Sequence, residues 1–167
     1  MIIDRFSTAF RDGLSGLYSE AYFVEVFQRE WNRMLREQDA LSILILHPHL
    51  NIDKEDDRFA FKVLSEMVES STKRSTDLVC RFQQSEIAIG LFNLDEDGTE
   101  TIVHRIINGA NELNEVITNL DISIGGLNIL PSNQIEINDM FEITENLASK
   151  AEGKGKNAYE VQYYQMH

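Results

Sequence analysis

Lys73 to Asn93 reads K-R-S-T-D-L-V-C-R-F-Q-Q-S-E-I-A-I-G-L-F-N, and the rest of the chain is placed around it. Leu78–Phe82 and Glu86–Phe92 are short apolar runs, and Gln83-Gln84-Ser85 between them is a polar break. Two strand-like runs around so short a break predict a β-hairpin. Its tip displays Gln83, Gln84, Ser85 and Glu86, and the polar approach to its first strand carries Arg74 and Asp77. Cys80 lies inside the first run, so a buried thiol is expected there rather than a nucleophile.

Upstream, Leu41–Leu46 is a near-continuous apolar run, the pattern of a central strand covered on both faces, and it ends in His47-Pro48-His49. Before it, Tyr22, Phe23, Val26, Phe27, Trp31 and Met34 recur at helical spacing and predict a helix over 20–37, capped near Ser19. Arg29, Arg33 and Arg36 lie off that stripe. A second helix is expected from Asp56 or Asp57 to about Ser71. Downstream, the pattern predicts a helix over Thr99–Thr118 carrying Arg105 and a strand over Leu120–Ile129 stopped by Pro131. A helix over Asn138–Lys150 and a closing strand over Ala158–Tyr164 complete the chain. Ile2, Ile3, Phe6 and Phe10 suggest a short helix or the end of a linker over residues 1–10. Strands alternating with helices in this order predict an α/β (α+β) domain, a central sheet flanked by helices.

With 167 residues, 43% hydrophobic, the chain is long enough for one domain with one core. No apolar run approaches the roughly 20 residues of a membrane span, and a single cysteine excludes an internal disulfide and points to a reducing, cytoplasmic setting. The net charge of −13 repels nucleic acid and anionic membranes. An anionic ligand therefore needs a local cationic cluster, drawn from Arg33, Arg36, Lys73, Arg74, Arg81 and Arg105.

Asp12-Gly13-Leu14-Ser15-Gly16-Leu17-Tyr18 closely resembles the Asp-x-Leu-Thr-Gly-Leu-Tyr/Phe opening motif of the GGDEF domain, the diguanylate cyclase family. The hairpin then corresponds to the family's signature, with Gln83-Gln84-Ser85-Glu86-Ile87 in place of Gly-Gly-Asp/Glu-Glu-Phe, so only Glu86 is kept. Arg74-Ser75-Thr76-Asp77 stands where many members carry the Arg-x-x-Asp inhibitory site that binds cyclic di-GMP. Arg105 falls at the position of a supporting arginine, and Arg33 at that of an arginine which a second subunit contributes. His47 replaces the first aspartate of a strand-end Asp-x-Asp that holds catalytic magnesium. Ser123-Ile124-Gly125 and Gly155-Lys156-Asn157 resemble later family motifs, and the family's phosphate-binding lysine maps to Lys150 or is lost at Glu152. The resemblance covers about residues 10–164 and implies a GGDEF/nucleotidyl-cyclase-like fold over 11–167, with a mainly antiparallel five-stranded sheet.

Diguanylate cyclases join two GTP molecules, which needs metal ions to neutralise developing charge and a glycine tip that lets backbone approach the nucleotide. His47, Gln83, Gln84 and Ser85 remove those features. No catalytic residue and no cofactor are therefore expected, with magnesium required only for residual cyclase activity. An arginine fork can bond guanine O6 and N7 together, and an aspartate accepts from guanine N1–H and N2–H. The resemblance thus implies a bacterial cyclic di-GMP sensor or effector using Arg74, Asp77, Arg105 and Arg33. It would act as a homodimer or ligand-linked dimer under an upstream sensory or receiver domain, with no nucleic-acid partner and no membrane insertion. The alternatives are a nucleotide-free dimerisation or protein-interaction domain, and residual cyclase or GTP-binding activity resting on Glu86 and Lys150. His47, His49 and Glu86 also have the composition of a transition-metal site, although metal-free strand-end histidines are the simpler expectation.

Overall fold

The hairpin forms as expected: β2 (Leu78–Phe82) and β3 (Glu86–Phe92) pair antiparallel, with Phe82 opposite Glu86. The computed structural model describes residues 10–164, so the helix suggested for the first residues lies outside them except at Phe10. Phe10 stacks on Tyr22 with ring centroids 4.6 Å apart. The other elements are α1 (Glu20–Glu37), β1 (Leu41–His47), α2 (Glu55–Ser71), α3 (Glu96–Leu113), β4 (Ser123–Ile129), α4 (Ile137–Glu152) and β5 (Ala158–Tyr164). The five-stranded sheet has the order β2-β3-β1-β4-β5, antiparallel throughout except for the parallel β4–β5 pair.

β1 is the central strand, and its alternation divides the apolar interior in two. Leu44 and Leu46 face Phe61, Leu64 and Val68 of α2 and Val103 and Ile106 of α3. Leu41, Ile43 and Ile45 join Phe23, Phe27, Trp31 and Met34 of α1 and Met140 of α4. The helices thus cover both faces of the sheet, which is why neither face of β1 is open to solvent.

Several boundaries differ from the sequence pattern, each for a local reason. α1 starts where expected, with the Ser19 hydroxyl accepting from the Tyr22 N–H. α2 begins at Glu55 without a side-chain cap, because Lys54 at its N-cap has no acceptor, while Asp57 in its first turn accepts from the Asn51 N–H at 2.8 Å. α3 begins early because Asp95 caps it by accepting from Gly98 N–H at 2.8 Å, and it ends at Leu113 rather than Thr118. β4 begins at Ser123, whose partner His47 is the last residue of β1, so buried Leu120 and Ile122 lie before the ladder. α4 continues past Lys150 to Glu152.

Gly125 sets the seat of α4 on the sheet. A Cβ there would lie 2.2 Å from the Ala148 nitrogen and 2.4 Å from the Thr144 carbonyl oxygen. Only glycine permits this approach, so the height of α4 over β4 is decided by a missing methyl group.

Candidate functional site

The opening motif works as a local scaffold for the hairpin. Asp12 Oδ2 accepts from both the N–H and the hydroxyl of Ser15, each at 2.8 Å, and Gly16 turns the chain at φ 79°. The turn docks on β2: Tyr18 N–H donates to the Val79 carbonyl, Arg81 N–H donates to the Tyr18 carbonyl, and the Arg81 guanidinium meets Asp12 at 3.0 Å. Burial alone would raise the Asp12 carboxyl, but the Ser15 and Arg81 bonds outweigh it and hold it below the usual carboxylate range. Cys80, behind this turn, is fully buried and its thiol is pushed up by burial, as its place in the strand predicts.

At the tip, Gln83 and Gln84 both adopt left-handed backbone, with φ 45° and 72°. Such a turn favours glycine, and each side chain there costs roughly 1 kcal/mol. Gln83 N–H donates to Glu20 Oε1 of α1 at 2.8 Å.

Arg74, Asp77 and Arg105 come together between the end of α2, the start of β2 and the outer side of α3. Arg74 N–H donates to Asp77 Oδ2 at 3.1 Å, and Asp77 N–H returns a bond to the Arg74 carbonyl at 3.0 Å. The Arg74 guanidinium donates to the Phe92 carbonyl at 2.8 Å, and that of Arg105 to the Ser71 carbonyl at 3.0 Å. Each uses one of five N–H donors, and both side chains are exposed. Asp77 Oδ1 is buried and accepts no bond. Burial pushes the Asp77 carboxyl up, against the Arg74 N–H and the charges of Arg74 and Arg105. Arg33 is engaged with Glu30 and Glu37 on its own helix and donates to Asn93 Oδ1 at 2.9 Å. Arg33 and Arg74 therefore grip adjacent residues at the end of β3.

The second cluster lies at the other end of β3, beside the hairpin tip. His47 Nε2 stands 3.3 Å from Glu86 Oε2 and 3.0 Å from Glu145 Oε2, and its Nδ1 stands 3.3 Å from Glu152 Oε1. Burial favours the neutral ring, yet Glu86, Glu145 and Glu152 overcome it and raise the imidazole to about 9. Burial also pushes the Glu145 carboxyl up, helped by Glu86 and opposed by His47. His49, which follows Pro48 with φ 56°, turns instead to Ser123 Oγ at 3.0 Å and to Glu152 at 3.6 Å. A cavity of about 210 Å³ opens onto the cluster between His47, His49, Ser85, Glu86 and Glu152.

Glu145 and Glu152 are the residues that sequence reasoning missed as part of this cluster. Glu152, not Lys150, contacts His47, so an acid rather than a base closes this side of the cluster. The donor atoms of His47, Glu86 and Glu145 lie within 4.8 Å of one another and have the geometry to hold an ion. They do not fit magnesium, which wants oxygen ligands and keeps several waters, because an imidazole stands at the centre and Ser85 offers no carboxylate.

The sequence matches no protein-family model and no curated protein. The structure does have solved counterparts. Diguanylate cyclase SiaD from Pseudomonas aeruginosa, in complex with its activator SiaC, superposes with a TM-score of 0.78 at 13% identity over 98% of this chain, which spans 65% of that one. The coiled coil and GGDEF domain of DgcB from Caulobacter crescentus, in complex with c-di-GMP, gives 0.78 at 13% identity over 98% of this chain and 90% of that one. The S helix-GGDEF-EAL region of Vibrio cholerae LapD, bound to c-di-GMP, gives 0.76 at 19% identity over 97% of this chain and 39% of that one. With the hairpin, the sheet order and the docked opening turn, these likenesses establish that the chain has the fold of a GGDEF domain.

Proposed function

We propose that this domain binds cyclic di-GMP through Arg74, Asp77 and Arg105 and does not make it. The observation that carries the reading is the convergence of two exposed guanidiniums, each with unused donors, on a carboxylate with an unmet acceptor. Guanine complements all three groups: its O6 and N7 accept from an arginine fork, and its N1–H and N2–H donate to an ionised aspartate. Ligand arrival has to uncover Asp77 Oδ1, which lies beside the exposed Lys73–Thr76 segment.

Loss of synthesis follows from the other cluster. His47 and Ser85 stand where metal carboxylates are needed, Glu152 sets a negative charge in the cavity, and the glutamines fill the tip. In-line phosphoryl chemistry without its metal ions loses its main electrostatic support. The domain would act as a sensor or effector module, with Arg33 available to a second copy once released from Glu30 and Glu37.

Calorimetric titration of cyclic di-GMP tests this. Micromolar or tighter affinity, about −8 kcal/mol or better, is expected, together with a loss on the order of 100-fold in Arg74→Ala. Unchanged affinity in that variant, or cyclic di-GMP produced from GTP and magnesium at rates typical of an active cyclase, overturns the reading.

A further inference from the structure

We infer that His47, Glu86 and Glu145 form a binding site for a divalent transition metal, with Glu152 as its outer support. The site is independent of cyclic di-GMP binding and unlike an all-oxygen magnesium site.

The spacing is the first argument. Metal–ligand bonds of about 2.1 Å place neighbouring donors roughly 3.0 Å apart in an octahedron and 3.4 Å apart in a tetrahedron. His47 Nε2 lies 3.3 Å from Glu86 Oε2 and 3.0 Å from Glu145 Oε2, and all three donors lie within 4.8 Å of one another, so small side-chain shifts gather them around an ion. The elements that supply them are rigid: His47 ends the central strand, Glu86 opens β3 beside it, and Glu145 projects from α4, whose height Gly125 sets.

The outer contacts form a second argument. Metal-bound histidines regularly give their other ring N–H to a carboxylate, which selects the tautomer and aims the ring. Glu152 stands 3.3 Å from His47 Nδ1, so Nε2 is the nitrogen left to face the two inner carboxylates.

Unmet polar atoms are the third. Glu86 Oε1 and Glu145 Oε1 are both buried and accept no hydrogen bond. Among the described residues no lysine or arginine pairs with Glu86, Glu145 or Glu152. Only the His47 ring faces all three carboxylates, two of them largely buried, so the cluster has a surplus of negative charge that a divalent cation would balance. One nitrogen and two carboxylate oxygens suit zinc or a neighbouring first-row ion. The cavity beside Ser85 and His49 gives the ion a route in and leaves room for a water to complete its shell.

Equilibrium dialysis of the untagged chain against zinc is the test. One zinc per chain at micromolar affinity or tighter is expected, undisplaced by millimolar magnesium. His47→Ala and Glu145→Gln should each weaken binding by about 10–100-fold, while Arg74→Ala leaves it unchanged. Should a variant fail to fold, histidine-selective NMR of the wild-type protein decides: zinc must shift the His47 ring and leave that of His104 unmoved. Absence of stoichiometric zinc, undiminished binding in a folded Glu145→Gln, a silent His47 ring, or displacement by equal magnesium overturns the inference.

Discussion

The two ends of β3 have opposite characters. At one end Arg74 and Arg105 present exposed positive charge around a single carboxylate. At the other, three glutamates surround one half-buried histidine. A domain with a net charge of −13 thus carries a local cationic cluster at one end of β3 and an acidic one at the other. The two clusters draw on different elements: the loop between α2 and β2 and the helix α3 supply Arg74, Asp77 and Arg105, while β1, β3 and α4 supply His47, Glu86, Glu145 and Glu152.

The strongest way to break the comparison is through Gly125. Gly125→Ala drives a methyl group into the backbone of α4, and a loss of about 1–3 kcal/mol is expected, read as a lower denaturant midpoint with unchanged m. Because α4 carries Glu145 and Glu152, the His47 cluster should be disturbed while cyclic di-GMP affinity survives in the folded fraction. Equal damage at both sites would show that they are coupled.

A smaller effect separates stability from binding at the cationic end. Burial holds the Asp77 carboxyl above 3.8 in the folded state. The native chain therefore binds more protons than the unfolded chain across that window, and the contribution of Asp77 to stability is lost as pH rises through it. The proposed mode of cyclic di-GMP binding needs the ionised form, so affinity should fall as pH is lowered through the same window, opposite in sign to stability. Melting and titration series compared with Asp77→Asn, which should flatten both trends, check this.

The smallest expected change is at the tip. Gln84→Gly relieves a left-handed side chain and should raise stability by about 0.5–1 kcal/mol. Cyclic di-GMP affinity should stay the same, and so should cyclase activity, because His47 and Ser85 are untouched. Recovery of cyclic di-GMP synthesis by this change alone would place the defect in the turn rather than in the metal ligands.

The sequence made one of these regions more legible than the other. The hairpin, the central strand, the opening turn and the Arg74–Asp77 pair lie within local stretches whose alternation and turn chemistry are self-contained, and Arg105 was reachable through a family register. Glu145 and Glu152 were not. They stand 98 and 105 residues from His47 in the chain, on a helix whose surface acids resemble any solvated face. Nothing local distinguishes an acid aimed at a histidine from one aimed at water. His49, the other histidine of the less favoured metal reading, has φ 56° after Pro48 and bonds Ser123 Oγ, while it shares Glu152 with His47. Helix ends were misplaced by a few residues where a cap such as Asp95, or a ladder running out at Ser123, decides the boundary.

β1 is hydrogen-bonded along both edges and covered on both faces, and His47 is its last residue. Its amides should exchange with solvent only when the whole domain opens, whereas those of the exposed segment around Arg74 should exchange sooner. The two sites therefore run on different clocks. On the proposed readings, a ligand at Arg74 would meet an exposed loop, whereas an ion at His47 would meet a seat whose strand-borne donors stay put until the fold itself is lost.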